Sequence, residues 1–201
     1  LDVSVAAQEK VLAKCRNKQV QAVTEKPYLF PLRGDRQLSG RPVIIGTGPA
    51  GLFCGYLLAA HGWKPLLLER GNCVEKRIRD VEKFWREGVL DPASNVQFGE
   101  GGAGTFSDGK LNTLVKDKYG RNREVLRIFV EAGAPEQILY EAKPHIGTDI
   151  LIGVVRNLRR QIVAWGGEVR FGSQVTDLLF QAGRVAGVVV NGTERIQSEA
   201  V

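Results

Sequence analysis

The chain has 201 residues, of which 43% are hydrophobic and 25% are charged, and its formal net charge is +6. This balance is typical of a soluble globular protein. No apolar run is long enough to span a bilayer and no signal-peptide pattern is present, so we expect a cytoplasmic protein without a membrane partner. Basic residues alternate with acidic ones, as in residues 75–83, which argues against a nucleic-acid partner. The three cysteines share no paired spacing, which argues against disulfides and a metal site.

Residues 1–40 are predicted to be the end of a small α/β domain followed by a linker. The pattern predicts strands at 1–5 and 19–23 with a helix at 6–16 between them. Prolines and glycines mark the linker, in which Tyr28 and Phe30 are expected to contact the next domain. Because the chain contains no Met and ends within an apolar run, we expect a fragment whose second domain, residues 41–201, is truncated at its C-terminal end.

The second domain begins with a strand, a glycine turn, a helix and another strand. Pro42 to Ile45 is an apolar run that predicts a strand buried on both faces. The following helix, ended by His61-Gly62, has an apolar stripe predicted to be its buried face; its members are Ala50, Phe53, Leu57 and Ala60, widened by Leu52, Tyr56 and Leu58. The strand from Trp63 to Leu68 then leads to Glu69. This order predicts a dinucleotide-binding βαβ unit.

The glycine turn supplies what a pyrophosphate needs. Gly46 permits the tight turn, Gly48 lets the backbone approach the phosphates, and Gly51 lets the helix pack closely on the strand. Pro49 and Ala50 belong to the first turn of the helix, where free amides and the helix dipole favour an anion.

Glu69 is predicted to accept hydrogen bonds from a ribose diol. The same carboxylate repels a 2′-phosphate, which disfavours NADP, although the neighbouring Arg70 weakens that effect.

A second glycine-rich stretch occupies residues 97–111, with glycines at 99, 101, 102, 104 and 109. So many glycines do not make a stable helix or strand. Either the loop is mobile and without function, or it brings backbone amides close to a ligand, and the nearby nucleotide motif favours the second interpretation. His145 is a candidate acid–base group, although a purely structural role is favoured for it. Asp108 and Lys110 flank Gly109 and either contact the flavin or substrate or simply form a turn, so the catalytic residues stay unknown.

The remaining pattern predicts helices and then an antiparallel meander. The helices are expected at 74–88 (with Ile78, Val81, Phe84 and Trp85 on one side), 123–132 and 148–165, the last with Thr148 as its N-cap. The strands are expected at 168–171, 175–180, 185–190 and 195–201, with turns at 181–183 and 191–192. A plain NAD-binding Rossmann domain would continue instead with alternating helices and parallel strands.

Residues 41–201 resemble the FAD-binding domain of the glutathione-reductase-like flavoprotein superfamily. Residues 94–111 and 141–149 are similar to two signatures of a group of bacterial FAD-dependent dehydrogenases, and residues 1–37 resemble the end of the small N-terminal α/β domain of those proteins. The resemblance implies an α/β fold: a Rossmann-like FAD-binding domain with a central parallel sheet and an antiparallel three-stranded meander.

The resemblance also implies FAD as the cofactor and suggests which residues bind it. Those residues are Gly46, Gly48, Pro49, Ala50, Gly51 and Glu69 at the adenosine end, Arg70, Gly71 and Arg77 near the phosphates or ribose, Gly101, Gly102, Gly104 and Thr105 near the pyrophosphate or flavin, and Val175 at the adenine through its backbone. The paired cysteines of the disulfide reductases are absent, which argues against thiol–disulfide chemistry.

The leading hypothesis is therefore the FAD-binding portion of a flavin-dependent oxidoreductase that acts on an unknown small molecule. NAD(P)H is a candidate electron donor of the full-length protein, and the fragment is expected to be inactive alone. The alternatives are an NAD(P)-binding dehydrogenase domain and a flavin-dependent tRNA-modifying enzyme.

Overall fold

The computed structural model describes residues 3–23, 27–31, 34, 38–111, 113 and 115–201, and this part of the chain is an α/β protein. Its helices are α1 (Gln8–Lys14), α2 (Pro49–Ala60), α3 (Val74–Glu87), α4 (Arg121–Glu131) and α5 (Thr148–Ala164), with short 3-10 helices at Ala103–Phe106 and Glu136–Leu139. Its strands are β1 (Val43–Ile45), β2 (Leu66–Leu68), β3 (Glu168–Arg170), β4 (Val175–Gln181), β5 (Arg184–Val190) and β6 (Glu194–Gln197). None of the helices in these ranges could cross a membrane.

The first three strands form a parallel sheet in the order β1-β2-β3. Val43 pairs with Leu66, and Leu68 pairs with Arg170. Helix α2 connects β1 to β2, and the connection from β2 to β3 contains α3, α4 and α5. The predicted βαβ unit is therefore confirmed.

The last three strands form an antiparallel sheet in the order β4-β5-β6, which confirms the predicted meander. Ala182 and Gly183 both have positive φ, as a two-residue hairpin turn requires. The final strand is shorter than predicted, because β6 ends at Gln197.

The two sheets and the helices stack in three layers around β2. The side chain of Leu67 packs into a cluster with α2, α4 and α5 on one face of the parallel sheet. Leu66 and Leu68 point to the other face and pack against Val188 and Val190 of β5. Consecutive strand residues alternate between faces, so this three-leucine strand joins both hydrophobic clusters.

Two helices bury only part of the face predicted for them: Leu52 and Tyr56 of α2 and Val81 of α3 are buried as expected, but other members of each face are not. In α2 the buried residues are Leu52, Gly55, Tyr56 and Ala59, whereas Ala50 and Ala60 are exposed. The helix is apolar on almost every side, so its periodicity does not single out one face.

Helix α3 buries Val74, Arg77 and Val81, whereas Trp85 is 71% exposed. A buried arginine is invisible to a hydrophobic pattern, so the pattern included Val81 but missed Arg77 and wrongly included the exposed Trp85.

Strand β1 is also less buried than predicted. Val43 is buried, but the side chain of Ile45 is 51% exposed at the end of the strand. Ile45 lies at the carboxyl end of β1, where it lines the pocket at the strand ends and a second apolar cavity instead of a hydrophobic cluster.

The N-terminal region differs most from its prediction. Helix α1 forms, but none of its residues is buried, and residues 3–5 and 19–23 do not form strands. Alternating sequence alone does not make a strand when the described residues offer it no partner strand. The predicted linker contact is confirmed for Phe30, whose ring stacks on His61 with centroids 3.8 Å apart. Residues 1, 2, 24–26, 32, 33 and 35–37 of this region lie outside the described residues.

Candidate functional site

The carboxyl ends of all three parallel strands open into one pocket with a volume of about 330 Å³. Its lining comes from the end of β1 and the turn after it (Ile45, Gly46, Gly48), the end of β2 (Leu68, Glu69, Arg70), the connection from β3 to β4 with the first residue of β4 (Ser173, Gln174, Val175), and one loop (Gln97, Phe98, Gly99, Gly102). Ligands of open α/β sheets bind at this edge. The pocket therefore brings together residues that the sequence analysis took from three separate segments.

The glycine turn between β1 and α2 has the geometry that its sequence predicts. Gly46 has φ +89° at the tight turn. A Cβ atom at Gly51 would lie 2.0 Å from the carbonyl oxygen of Gly46, so only glycine fits there. A Cβ atom at Gly48 would meet no atom within 4 Å, so this residue borders open space. Pro49 and Ala50 form the exposed first turn of α2, and Gly48 is its N-cap.

Glu69 is held rigidly at the end of β2. Its Oε2 accepts hydrogen bonds from the Thr47 amide and the Thr47 hydroxyl, both at 2.8 Å. Its Oε1 accepts a hydrogen bond from the Gly71 amide at 2.8 Å, and the residue is 5% exposed. A carboxylate offers about four acceptor positions, so one remains on Oε1. The sequence analysis missed Thr47, although a hydroxyl between two turn glycines was a usable signal.

Arg70 forms a side wall of the pocket. Its guanidinium carbon lies 3.9 Å from the centroid of the Phe98 ring, and Nη2 donates to the carbonyl oxygen of Pro92 at 3.0 Å. Its Nε has no hydrogen-bond partner among the described residues. Gly71, by contrast, is buried, and a Cβ atom there would lie 2.6 Å from Gly99 Cα. Gly71 therefore allows the second glycine-rich loop to approach the end of β2.

The two glycine-rich segments are in direct contact. The Gly101 amide donates to the carbonyl oxygen of Thr47 at 2.8 Å. A Cβ atom at Gly102 would lie 3.0 Å from Pro49 Cδ and 3.3 Å from Gly48 Cα. The second loop therefore covers the first turn and leaves no room for side chains between them.

Two further predicted residues of this loop differ in position. Thr105 is buried, and a Cβ atom at Gly101 would lie 2.0 Å from its hydroxyl oxygen. Gly104 borders open space. Thr105 is thus packed within the loop, whereas Gly104 faces outward.

Arg77 lies behind the loop and is absent from the pocket lining. It is fully buried, and its guanidinium donates to main-chain carbonyl oxygens of the loop. Desolvation by burial lowers its pKa to about 10, partly offset by Glu69 and Glu100, so it stays protonated at neutral pH. The structure does not bring this predicted site residue to the pocket surface.

Glu100 is a buried carboxylate that the sequence analysis missed. Its Oε2 accepts a hydrogen bond from the Val74 amide at 2.7 Å, and its Oε1 lies 3.3 Å from Arg159 Nε. Arg159 also pairs with Glu75 at 2.6 Å. Burial raises the pKa of Glu100 to about 7 despite these contacts. The group links the glycine-rich loop to α3 and α5.

The stretches 94–111 and 141–149 meet in a short antiparallel contact between Lys110 and His145. The Ile146 amide donates to the carbonyl oxygen of Gly109, and the Leu111 amide to that of Pro144, both at 2.9 Å. The Thr148 hydroxyl donates to the carbonyl oxygen of Ser107 at 3.0 Å. Thr148 is therefore not the predicted N-cap of α5; that position is Gly147, and the Thr148 side chain fixes the loop instead.

This contact places the three candidate catalytic groups, Asp108, Lys110 and His145, on one exposed surface. Lys110 Nζ lies 2.7 Å from Asp108 Oδ2, and hydrogen bonding to Lys110, together with the charges of Lys110 and His145, lowers the pKa of Asp108. None of the three lines the pocket at the strand ends. Their arrangement does not assign a proton-transfer role to any of them.

Comparisons with known proteins agree with this fold. Residues 44–91 match the family model of the NAD(P)-binding Rossmann-like domain. An uncharacterised protein of Clostridium beijerinckii is 50% identical over 208 residues; the match covers 100% of this chain and 38% of that protein. The chain thus spans 38% of the length of the curated relative it matches.

Two solved structures are similar at low sequence identity. The 3-ketosteroid-Δ4-(5α)-dehydrogenase of Rhodococcus jostii is 14% identical with a TM-score of 0.50, covering 83% of this chain and 45% of that one. Glycine oxidase of Bacillus cereus is 13% identical with a TM-score of 0.49, covering 78% of this chain and 54% of that one. The likeness to the ketosteroid dehydrogenase shows the fold alone, and the likeness to glycine oxidase carries no argument.

Proposed function

We propose that the chain is the FAD-binding part of a flavin-dependent oxidoreductase. The observation that carries this proposal is the pocket at the ends of β1, β2 and β3, covered by the second glycine-rich loop and followed in sequence by the antiparallel sheet. Bound FAD supplies hydride or electron transfer, and the protein supplies binding, orientation and electrostatics. The same proposal includes an unknown small-molecule substrate, NAD(P)H as the electron donor of the full-length protein, and a cytoplasmic location.

The open space beside Gly48, on the pocket side of the first glycine turn, fits a diphosphate. The first turn of α2 offers main-chain amides and the positive end of the helix dipole. Gly48 borders open space, and Gly102 adds no side chain on the facing side. The diphosphate would bind against this turn, with Gly46 and Gly51 shaping it and Gly104 near the flavin side.

The end of β2 fits an adenosine ribose. Glu69 keeps one acceptor position on Oε1, which suits a diol hydroxyl and disfavours a 2′-phosphate. Arg70 with Phe98 offers a flat wall for a purine ring, and the backbone at Val175 closes the other side of the pocket.

An NAD(P)-binding dehydrogenase domain is the second candidate, favoured by the family match over residues 44–91. FAD is preferred because β3 leads into the antiparallel sheet instead of another helix and parallel strand. The resemblance of residues 94–111 and 141–149 to FAD-dependent dehydrogenases supports the same choice.

The test is the visible spectrum of the full-length protein, with identification of the released cofactor. We expect flavin absorbance, and FAD after denaturation. Gly48→Val should abolish FAD binding while leaving the unfolding temperature of the cofactor-free protein unchanged, because the added side chain enters open space at the pocket.

Gly153→Val is the matched control, since this glycine also has open space beside it but lies in α5, outside the pocket lining. A full-length protein that is colourless and does not take up added FAD would refute the proposal. Colourless protein that binds NAD(H) would establish the second candidate.

A further inference from the structure

We infer that Arg77 is the positioning residue of the diphosphate site, a role that rests on the proposed function. The residue does not reach the pocket. Instead it holds the second glycine-rich loop in the shape that covers the first glycine turn.

The guanidinium of Arg77 is surrounded by main-chain carbonyl oxygens. Nε donates to Asn95 at 2.8 Å, Nη2 to Val96 at 2.9 Å, and Nη1 to Glu100 at 2.7 Å and Gly102 at 2.8 Å. A longer contact of 3.4 Å joins Nη1 to the carbonyl oxygen of Gly99. Charge-assisted hydrogen bonds are the stronger class, so this single side chain fixes residues 95–102.

The glycines of the loop allow the carbonyl groups to converge. Gly99, Gly101 and Gly102 have φ values of +112°, +86° and +68°, a region that other residues rarely adopt. A Cβ atom at Gly99 would also lie 2.7 Å from Arg77 Cδ. The glycine-rich sequence is therefore explained by a chain that curls around a buried cation.

The other side of the same loop meets the proposed diphosphate site. Gly101 and Gly102, which lie at or beside the carbonyl groups held by Arg77, contact Thr47, Gly48 and Pro49. Displacement of the loop would open the space between the two glycine segments. The position of the loop relative to the first turn therefore depends on Arg77.

Arg77 also places a positive charge behind the loop. In the part of the chain that the structure describes, no carboxylate forms an ion pair with it, although Glu69 and Glu100 are close enough to raise its pKa. Opposite charges attract more strongly in a low-dielectric interior than in water. A diphosphate in the open space beside Gly48 would benefit from this charge without touching the residue.

The test compares the binding of ADP and adenosine to the cofactor-free full-length protein by calorimetry. Wild-type protein should bind ADP more tightly than adenosine. Arg77→Met should weaken ADP binding by roughly tenfold to a hundredfold, the range expected for lost charged hydrogen bonds. Adenosine binding should change much less, so the preference for ADP should fall. A general loss of structure would weaken both ligands equally.

Two variants complete the experiment. Arg79→Met removes an exposed arginine from the same helix and should leave the ADP preference unchanged. Arg77→Lys keeps the charge but replaces the planar fork with one donor group, so it should give an intermediate loss of the preference. If Arg77→Met does not fold, the inference is judged by whether Arg77→Lys lowers the preference for ADP over adenosine.

An unchanged ratio of ADP to adenosine affinity in the Arg77 variants would overturn the inference. A wild-type protein that binds neither FAD nor ADP would instead refute the proposed function. The two failures are therefore distinguishable.

Discussion

At the scale of single residues, the pocket is built from polar groups that bind one another before they bind a ligand. Glu69 is oriented by both the amide and the hydroxyl of Thr47, and by the Gly71 amide. A carboxylate held in this way needs no reorganisation when a diol arrives, which lowers the entropic cost of binding. The buried Thr47 hydroxyl is thus part of the site, because it orients Glu69 from outside the pocket lining.

Glu100 is expected to give stability a dependence on pH. Burial raises its pKa to about 7, whereas in the unfolded chain the group loses this proton near the ordinary glutamate pKa of 4.5. Between these values the folded state binds more protons, so the contribution of Glu100 to the free energy of unfolding falls as pH rises. Glu100→Gln should remove this fall and stabilise the protein at pH 8 relative to wild type, by about 1–3 kcal/mol.

The measurement is urea unfolding of both proteins at about pH 5 and pH 8. Glu75→Gln is the control, because Glu75 pairs with the same arginine but has a lowered pKa and is ionised at both pH values. The effect of Glu75→Gln on the free energy of unfolding should differ little between pH 5 and pH 8. Equal pH dependence of Glu100→Gln and wild type would show that Glu100 is already ionised in the folded state at pH 5.

At the scale of secondary-structure elements, one glycine controls the contact between the stretches 107–111 and 144–148. Gly109 has φ +72°, and a Cβ atom there would overlap with the carbonyl oxygen of Ile146. Gly109→Ala should therefore lower the free energy of unfolding by roughly 2–4 kcal/mol through strain and steric conflict.

Thermal unfolding of the cofactor-free protein would measure this effect. Gly104→Ala is the control from the same loop, since its added methyl group meets open space. Equal melting temperatures of the two variants would contradict the role of the Gly109 contact.

The sequence predicted the secondary-structure elements better than the faces that those elements bury. The βαβ unit and the hairpin turns were correct because turn glycines and short apolar runs determine them locally. The buried faces of α2 and α3 were predicted only in part, because one helix is apolar on nearly all sides and the other buries Arg77. The contacts of that arginine depend on main-chain carbonyl groups, which no side-chain pattern records.

The same limit applies to the candidate site. Gly46, Gly48, Glu69 and Arg70 were placed in one pocket as expected, since motif spacing fixes the ends of neighbouring parallel strands. Glu100 was missed because its polar neighbours, the Val74 amide and Arg159, come from distant parts of the sequence. Long-range pairing of charges is not readable from local spacing.

At the scale of the whole molecule, the buried residues are concentrated in residues 41–201. Helix α1 has none, and Val11 is 45% exposed. A domain boundary near residue 40 therefore stays a prediction, and the burial of the described residues is consistent with it.

Limited trypsin digestion of the 201-residue chain, followed by mass spectrometry, would test that boundary. The first cuts are expected at basic residues of the N-terminal segment, such as Lys14, Arg16 and Lys18, because exposed segments without tertiary contacts are cleaved first. A chain that begins at Pro27 keeps the stack of Phe30 on His61 and should retain the melting temperature. Early cuts within α5 would contradict this expectation.

The contacts of Arg77 also have a consequence for the order of folding. In the unfolded chain, water satisfies the carbonyl groups of residues 95–102, so the loop gains no order until α3 brings its guanidinium among them. Loop and helix would then form in one cooperative step, and their main-chain amides would exchange hydrogen at a common rate. Unravelling of the first turns of α3 would release the cover of the pocket at the same moment.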